Sequence, residues 1–466
     1  MTQPGTETQP LRVAIIGSGP AAFYAADHLF KQSGLVIEVD MFDRLPTPFG
    51  LVRAGVAPDH QKIKNVTKVF DQVASTPRFR FYGNVEFGKH VKLADLTEHY
   101  HQILYATGAQ TDRHMGIPGE NLTGSHPATE FVAWYNGHPD YRDHEFDLTQ
   151  EQAAVVGVGN VAADVARILC LSPKELAETD MADYAIEALS HSRVKEVYLL
   201  GRRGPAQAAF TNPEIKELGE LADADTLARP AEVELDDLSK AALAKDDDRM
   251  TQKKVEMLRA FALNRPTGRA RTLQFRFLVS PVELLGNENR HVESMRLVKN
   301  VLYATEAGTL SPKPTDRFEE LPVGLVFRSV GYRGLPLPDV PFNERWGVIL
   351  NQKGRVLDPD TQQPLAGQYT SGWIKRGPSG VVGTNKPDSI ETVNCMLEDL
   401  ANGRILQPSQ PEARCVDDLL KERQPQYFTY ADWQRLDEME VARGKAQGRP
   451  RVKFTSVEEM RAALGR

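Results

Sequence analysis

Two glycine-rich turns, each between an apolar run and a helical pattern, constrain this chain more than any other feature. Residues 13–16 lead into Gly17-Ser18-Gly19-Pro20-Ala21-Ala22, and residues 153–156 lead into Gly157-Val158-Gly159-Asn160-Val161-Ala162. A second apolar run follows each helix, at residues 35–42 and 194–200. Strand, glycine turn, helix, strand is the context in which such a turn carries meaning as a dinucleotide site. In it the first glycine allows the tight bend and the second lets backbone approach a pyrophosphate. The small residue at the sixth position keeps helix and strand close, and free N–H groups at the helix start hold the anion.

The two units differ at the end of their second strands. Asp43 ends the first, where a carboxylate accepts hydrogen bonds from a ribose. Gly201-Arg202-Arg203 ends the second, after a polar excursion at residues 171–192 that lengthens the usual spacing. A carboxylate there would repel a 2′-phosphate, whereas the planar fork of arginine suits one. The first turn is therefore expected to hold a dinucleotide through Gly17, Gly19, Pro20, Ala21, Ala22 and Asp43. The second is expected to hold NADP(H) through Gly157, Gly159, Asn160, Val161, Arg202 and Arg203.

Between and beyond these units the pattern is α/β. A Pro- and Gly-punctuated loop covers residues 45–60, and residues 103–108 form an apolar strand ending in a turn at Gly108. Residues 235–259 are charged and helix-permissive, residues 274–285 alternate as one strand, and residues 325–330 form another that ends at Gly331. Residues 369–373 run as a strand into a further glycine turn, and residues 417–466 are helical, with Trp433, Leu436 and Met439 on one face. The simplest topology places residues 1–110 and 336–466 in one dinucleotide-binding domain, the latter with the C-terminal helical segment. Residues 111–335 then form a second domain inserted into the first.

With 56 Lys and Arg against 63 Asp and Glu, the net charge of -7 argues against nucleic-acid binding while leaving room for a local basic patch. No apolar run reaches the ~18 residues that span a membrane. The polar N-terminal tail lacks a basic start and an apolar stretch, so a cytoplasmic protein is expected, a monomer or weak oligomer. Only Cys170, Cys395 and Cys415 occur, with no C-x-x-C pair and no four-ligand cluster. A flavoenzyme feeding a disulfide, a resident iron–sulfur centre and a bound metal are all unexpected.

Longer segments carry a resemblance. These are Pro48-Phe49-Gly50-Leu51-Val52-Arg53, Gly55-Val56-Ala57-Pro58-Asp59-His60, Trp134-Tyr135-Asn136, Gly201-Arg202-Arg203-Gly204-Pro205, Ser371-Gly372-Trp373-Ile374-Lys375-Arg376-Gly377-Pro378 and Gly448-Arg449-Pro450-Arg451, together with the second glycine turn. Read together, they resemble ferredoxin-NADP reductases of the adrenodoxin reductase type, including bacterial relatives. The resemblance implies a glutathione-reductase-like pair of Rossmann-like three-layer domains, with FAD at the first turn and NADPH at the second. It also implies hydride transfer from nicotinamide to flavin, followed by single-electron release to a ferredoxin, a small acidic iron–sulfur protein.

The resemblance further places Gly50, Leu51 and Val52 in a loop beside the flavin, and Gly372, Trp373, Gly380, Val381 and Val382 along the isoalloxazine. Asp43 replaces the glutamate usual in the mammalian members. His60 and Glu214 match a His and a Glu near the reacting rings, and Glu214 also matches an NADP-contacting position. Lys216, Arg249, Lys253, Lys254 and Arg259 fall in stretches that face the ferredoxin, although Asp246-Asp247-Asp248 lies immediately upstream of Arg249. Two other readings share the fingerprints: the flavin subunit of a glutamate-synthase-like complex, which normally brings a cysteine-rich region, and a nucleotide sensor without turnover.

Overall fold

The computed structural model describes residues 4–246 and 248–466, so residues 1–3 of the tail and Asp247 of the acidic run lie outside the described residues. The strand Leu11–Ile16 is buried along its whole length. It runs parallel to Ile37–Asp43 on one side and Gln102–Tyr105 on the other. Phe79–Gly83 extends the first side in parallel and Pro364–Thr370 the second. Arg355–Leu357 and Asn351–Gln352 then continue antiparallel to complete seven strands. The two ends of the chain thus share one sheet.

One face of that sheet packs on the helices Pro20–Phe30, Asn385–Ala401 and Tyr430–Ala446. Phe23 and Phe70 stack there at 4.9 Å, and Phe49 meets Trp433 edge-on at 5.7 Å. Full burial of each such ring contributes about 1.5–3 kcal/mol. The C-terminal helical segment, silent chemically in the sequence, therefore supports the loop that carries Phe49. Within that loop Leu51–Ala54 form one helical turn, a departure from the irregular segment expected there.

A second sheet contains six parallel strands in the order Ser125–Pro127, Leu325–Arg328, Gln152–Val156, Glu196–Gly201, Arg271–Phe277 and Ala224–Ala228. All of them lie between Gln102–Tyr105 and Asn351–Gln352 in the chain, so this Rossmann-like unit is inserted into the first. Its core gathers Phe131, Trp134, Phe275 and Phe327.

The single strand expected over residues 274–285 is instead two. Arg271–Phe277 belongs to the parallel sheet, whereas Val279–Gly286 pairs antiparallel with Val292–Ala304, which pairs in turn with Leu310–Pro322. The break is Leu278, with φ of +57°. Phe275, Phe277 and Val279 are all buried, so every second position stays apolar past the break.

The excursion at residues 171–192 folds as the helices Pro173–Ala177 and Asp183–Ser190 and docks on the C-terminal segment. Asp180, between them, accepts from Lys64 Nζ at 2.7 Å and from Lys453 Nζ at 3.2 Å. Arg449 donates to the carbonyls of Thr179 and Met181. These buried ions tie the two nucleotide units together.

Candidate active site

The two glycine turns solve the same steric problem twice. A methyl group on Gly17 would lie 2.5 Å from Ala106 O, and one on Gly157 would lie 2.2 Å from Ser329 O. Their φ values of +100° and +141° also favour glycine. Methyl groups on Gly19 and Gly159 would meet nothing within 4 Å. The helices that follow, Pro20–Phe30 and Asn160–Cys170, have no side chain capping their first N–H groups. Each turn thus presents uncapped donors to open space, and the residues fit the pyrophosphate of a dinucleotide.

At the first turn the Asp43 carboxylate is anchored. Its Oδ2 accepts from Ser18 N at 2.9 Å and Ser18 Oγ at 2.5 Å, and its Oδ1 accepts from Leu45 N at 2.9 Å. Burial raises its pKa against the pull of these bonds. Asp43, expected from sequence to face a ribose, thus braces the turn as well, while Oδ1 keeps accepting capacity.

Phe49 N donates to Ser18 O at 2.9 Å, and this brings Gly50 against Gly19, where a methyl group on Gly50 would sit 3.0 Å from Gly19 Cα. Val52 is buried in the core and Leu51 is half-buried. Ala22 is fully buried, and Ala21 O accepts from Ser389 Oγ at 2.9 Å. Gly108 turns at φ +71° with open space beyond it. Gly372 N donates to Asp388 Oδ2 at 2.6 Å, Trp373 Nε1 to Ser379 O at 3.1 Å, and the Trp373 ring lies 5.3 Å from that of Tyr332. Gly380 turns at φ +80°, Val381 is exposed, and Val382 packs against the core.

At the second turn, Asn160 Oδ1 accepts from Thr211 N at 2.9 Å, and Val161 is half-buried against the core. Arg202 is exposed and Arg203 half-buried, and neither pairs with a carboxylate among the described residues. Burial first, and then the charge of Arg202, lowers the pKa of Arg203. Two adjacent cations without a counter-ion could hold an anion.

His60 joins the two units. Its Nε2 lies 2.7 Å from Glu217 Oε2 and 4.0 Å from Glu214 Oε2, and its Nδ1 lies 4.0 Å from Asp164 Oδ1. The buried Arg167 sits among the same carboxylates, 2.8 Å from Asp59, 2.9 Å from Asp164 and 3.2 Å from both Glu214 and Glu217. Burial opposes charge on His60, but its bond to Glu217 and the fields of Asp164 and Asp59 hold its pKa above the ordinary value. Burial lifts Asp164 to about 7 despite Arg167, and it also raises Glu214.

Donor atoms of His60, Glu214 and Glu217 lie within 4.8 Å of one another, a spacing that could hold a metal ion, but Arg167 already supplies positive charge at both carboxylates. His60 and Glu214 are expected from sequence, whereas Asp59, Asp164, Arg167 and Glu217 join them only in the fold. The readable signal was Asp164 and Arg167, one turn apart in an otherwise apolar helix.

The family model of pyridine nucleotide-disulphide oxidoreductases matches residues 11–217. The NADPH-ferredoxin reductase FprA of Mycobacterium tuberculosis is 46% identical over 98% of this chain and 100% of its own length. Human mitochondrial NADPH:adrenodoxin oxidoreductase is 40% identical over 99% of this chain and 93% of its own. The solved structure of Mycobacterium tuberculosis FprA in complex with NADPH superposes with a TM-score of 0.92 at 45% identity, covering 98% of this chain and 100% of that one. This chain belongs to the adrenodoxin-reductase-type ferredoxin-NADP reductases.

The three cysteines are free, Cys170 and Cys395 are buried, and burial pushes the Cys170 thiol up to about 12. Of the five cations assigned to docking, Lys254 Nζ donates to Ala208 O at 2.5 Å, Arg259 pairs with Glu234 at 3.2 Å, and Lys216 pairs with Glu220 at 3.6 Å. Arg249 and Lys253 are exposed without an ion pair among the described residues. No helix of the described residues is long and apolar enough to cross a membrane.

Proposed function

We propose that this reductase oxidises NADPH at the second glycine turn and passes the electrons through FAD at the first to a ferredoxin-type iron–sulfur protein, reversibly. The observation that carries the reading is the pair of uncapped turns with opposite partners, Asp43 at one and the unpaired Arg202 and Arg203 at the other. Bound FAD supplies the step from hydride to single electrons, which no side chain can perform. The names of the Mycobacterium tuberculosis and human relatives support ferredoxin or adrenodoxin as the acceptor class.

The chain's own residues bind and orient. Gly17, Gly19 and the start of the helix Pro20–Phe30 hold one pyrophosphate; Gly157, Gly159, Asn160 and Val161 hold the other. Arg202 and Arg203 select the 2′-phosphate. Trp373, Gly372, Gly380, Val381 and Val382, with Gly50, Leu51 and Val52, line the flavin. His60, held by Glu217 and flanked by Glu214, keeps a proton at its ring near the reacting centre. Arg249 and Lys253 steer an acidic partner.

The domain division is 1–110 and 336–466 around 111–335, and the protein works in the cytoplasm as a monomer or weak oligomer. Anaerobic NADPH is expected to bleach the yellow protein and an oxidised ferredoxin to restore the colour; nucleotide binding without bleaching would indicate a sensor instead.

A further inference from the structure

The three-stranded antiparallel sheet stands outside both larger sheets, yet it and the adjoining Leu278 meet the Arg202 and Arg203 turn at two backbone points. Arg203 O accepts from Leu278 N at 3.1 Å, and Arg202 O accepts from Asn300 Nδ2 at 2.9 Å. The second hydrogen of that amide goes to Ser280 Oγ at 2.8 Å, and Asn300 N donates to Leu278 O at 2.7 Å. Asn300 is 6% exposed, so its amide bonds are shielded from competing water.

Two departures from regular structure make these bonds possible. Leu278 adopts φ of +57°, uncommon for a side chain of its kind. The pairing of Val292–Ala304 with Leu310–Pro322 is interrupted between Val298 and Asn300, which lie opposite Phe318 and Pro314. Such an irregularity re-aims a side chain, and here the re-aimed amide reaches Arg202. The arginine side chains have little else to order them: Arg203 Nη2 reaches Gln207 O at 3.4 Å, and Arg202 has no side-chain bond among the described residues.

We propose that Asn300 is a positioning residue for the 2′-phosphate: by holding the Arg202 carbonyl it fixes the backbone from which both guanidiniums project, and so sets the preference for NADP+ over NAD+. The inference rests on the reading of Arg202 and Arg203 as phosphate ligands. A bond of this type, lost while the arginines themselves remain, corresponds to roughly a tenfold change.

The experiment is calorimetric titration of the flavin-loaded protein with NADP+ and with NAD+. Asn300→Ala is expected to weaken NADP+ binding roughly tenfold and NAD+ binding less than about twofold. Ser280→Ala, which leaves the Arg202 contact in place, is expected to match the native protein. Asn300→Ser, whose hydroxyl is too short to reach the carbonyl, serves as a second variant should the alanine protein not fold.

If replacing Arg202 and Arg203 with alanine leaves NADP+ affinity unchanged, the phosphate reading itself fails. If that double variant loses NADP+ while the Asn300 variants keep native affinity, or lose both nucleotides equally, the role of Asn300 is overturned.

Discussion

His60 Nε2 and Arg167 Nη1 approach the same oxygen, Glu217 Oε2, at 2.7 and 3.2 Å. One acid on the helix Asn212–Gly219 thus fastens a histidine of the first unit to an arginine of the second. Because the His60 pKa is raised in the folded state, the stability it contributes is complete below the ordinary histidine value of ~6.5 and is lost as pH rises through the raised one. The difference in melting temperature between the native protein and Glu217→Gln should shrink across that range. A constant difference would show that His60 does not titrate against Glu217. His60→Ala is expected to alter the rate or pH profile of reduction by NADPH in stopped-flow traces.

Replacing both Arg202 and Arg203 with alanine should raise the KM for NADPH far more than that for NADH. Each charge-assisted bond contributes about 1.5–3 kcal/mol, so a loss of one hundredfold or more is expected for NADPH. Steady-state assays with both nucleotides decide it; equal losses would remove the assignment.

Asp43→Ala deletes the bracing of Ser18 and Leu45 as well as a ribose acceptor. The purified variant should carry less flavin and rebind it at least roughly tenfold more weakly. The ratio of flavin to protein absorbance reads this directly, and full native loading would argue against the site.

Asp180→Asn strands Lys64 and Lys453 in a buried space. Breaking such a cluster costs about 3–5 kcal/mol, measurable by urea unfolding at neutral pH. Burial opposes ionisation of Asp180, but Lys453 and Lys64 hold its pKa far below the ordinary value. Its contribution is therefore present above the unfolded aspartate value of ~3.9 and fades as pH falls below it, so the penalty should narrow in acid.

Reduction of an acidic ferredoxin should slow as salt rises, because screening weakens steering. Arg249→Glu combined with Lys253→Glu should flatten that dependence. A salt-independent native rate would leave the patch without a docking role.

The parallel sheets were legible because buried strands and amphipathic helices repeat locally, and the glycine turns because sterics at Gly17 and Gly157 tolerate nothing larger. Leu278 was not legible, since Phe275, Phe277 and Val279 keep every second position apolar past its positive φ. Nor was the cluster around Arg167: Asp59 and Glu217 come from segments far apart in sequence, and only the fold selects Glu217 over Glu214 as the partner of His60. The bonds from Ser18 and Leu45 to Asp43 were likewise hidden, because a strand-end carboxylate looks the same in sequence whether or not it braces a turn. The internal bonds of Lys254 and Arg259 were equally invisible, because Ala208 and Glu234 are distant in sequence.

The seven-stranded sheet also sets an order of completion. Strands of the inserted sheet have all been made once Arg328 leaves the ribosome, whereas the first glycine turn waits for Pro364–Thr370 and for the helix Asn385–Ala401, whose Ser389 bonds Ala21. The cradle encoded earliest is the one finished last. A nascent chain can therefore complete the cradle at residues 157–162 well before the one at residues 17–22.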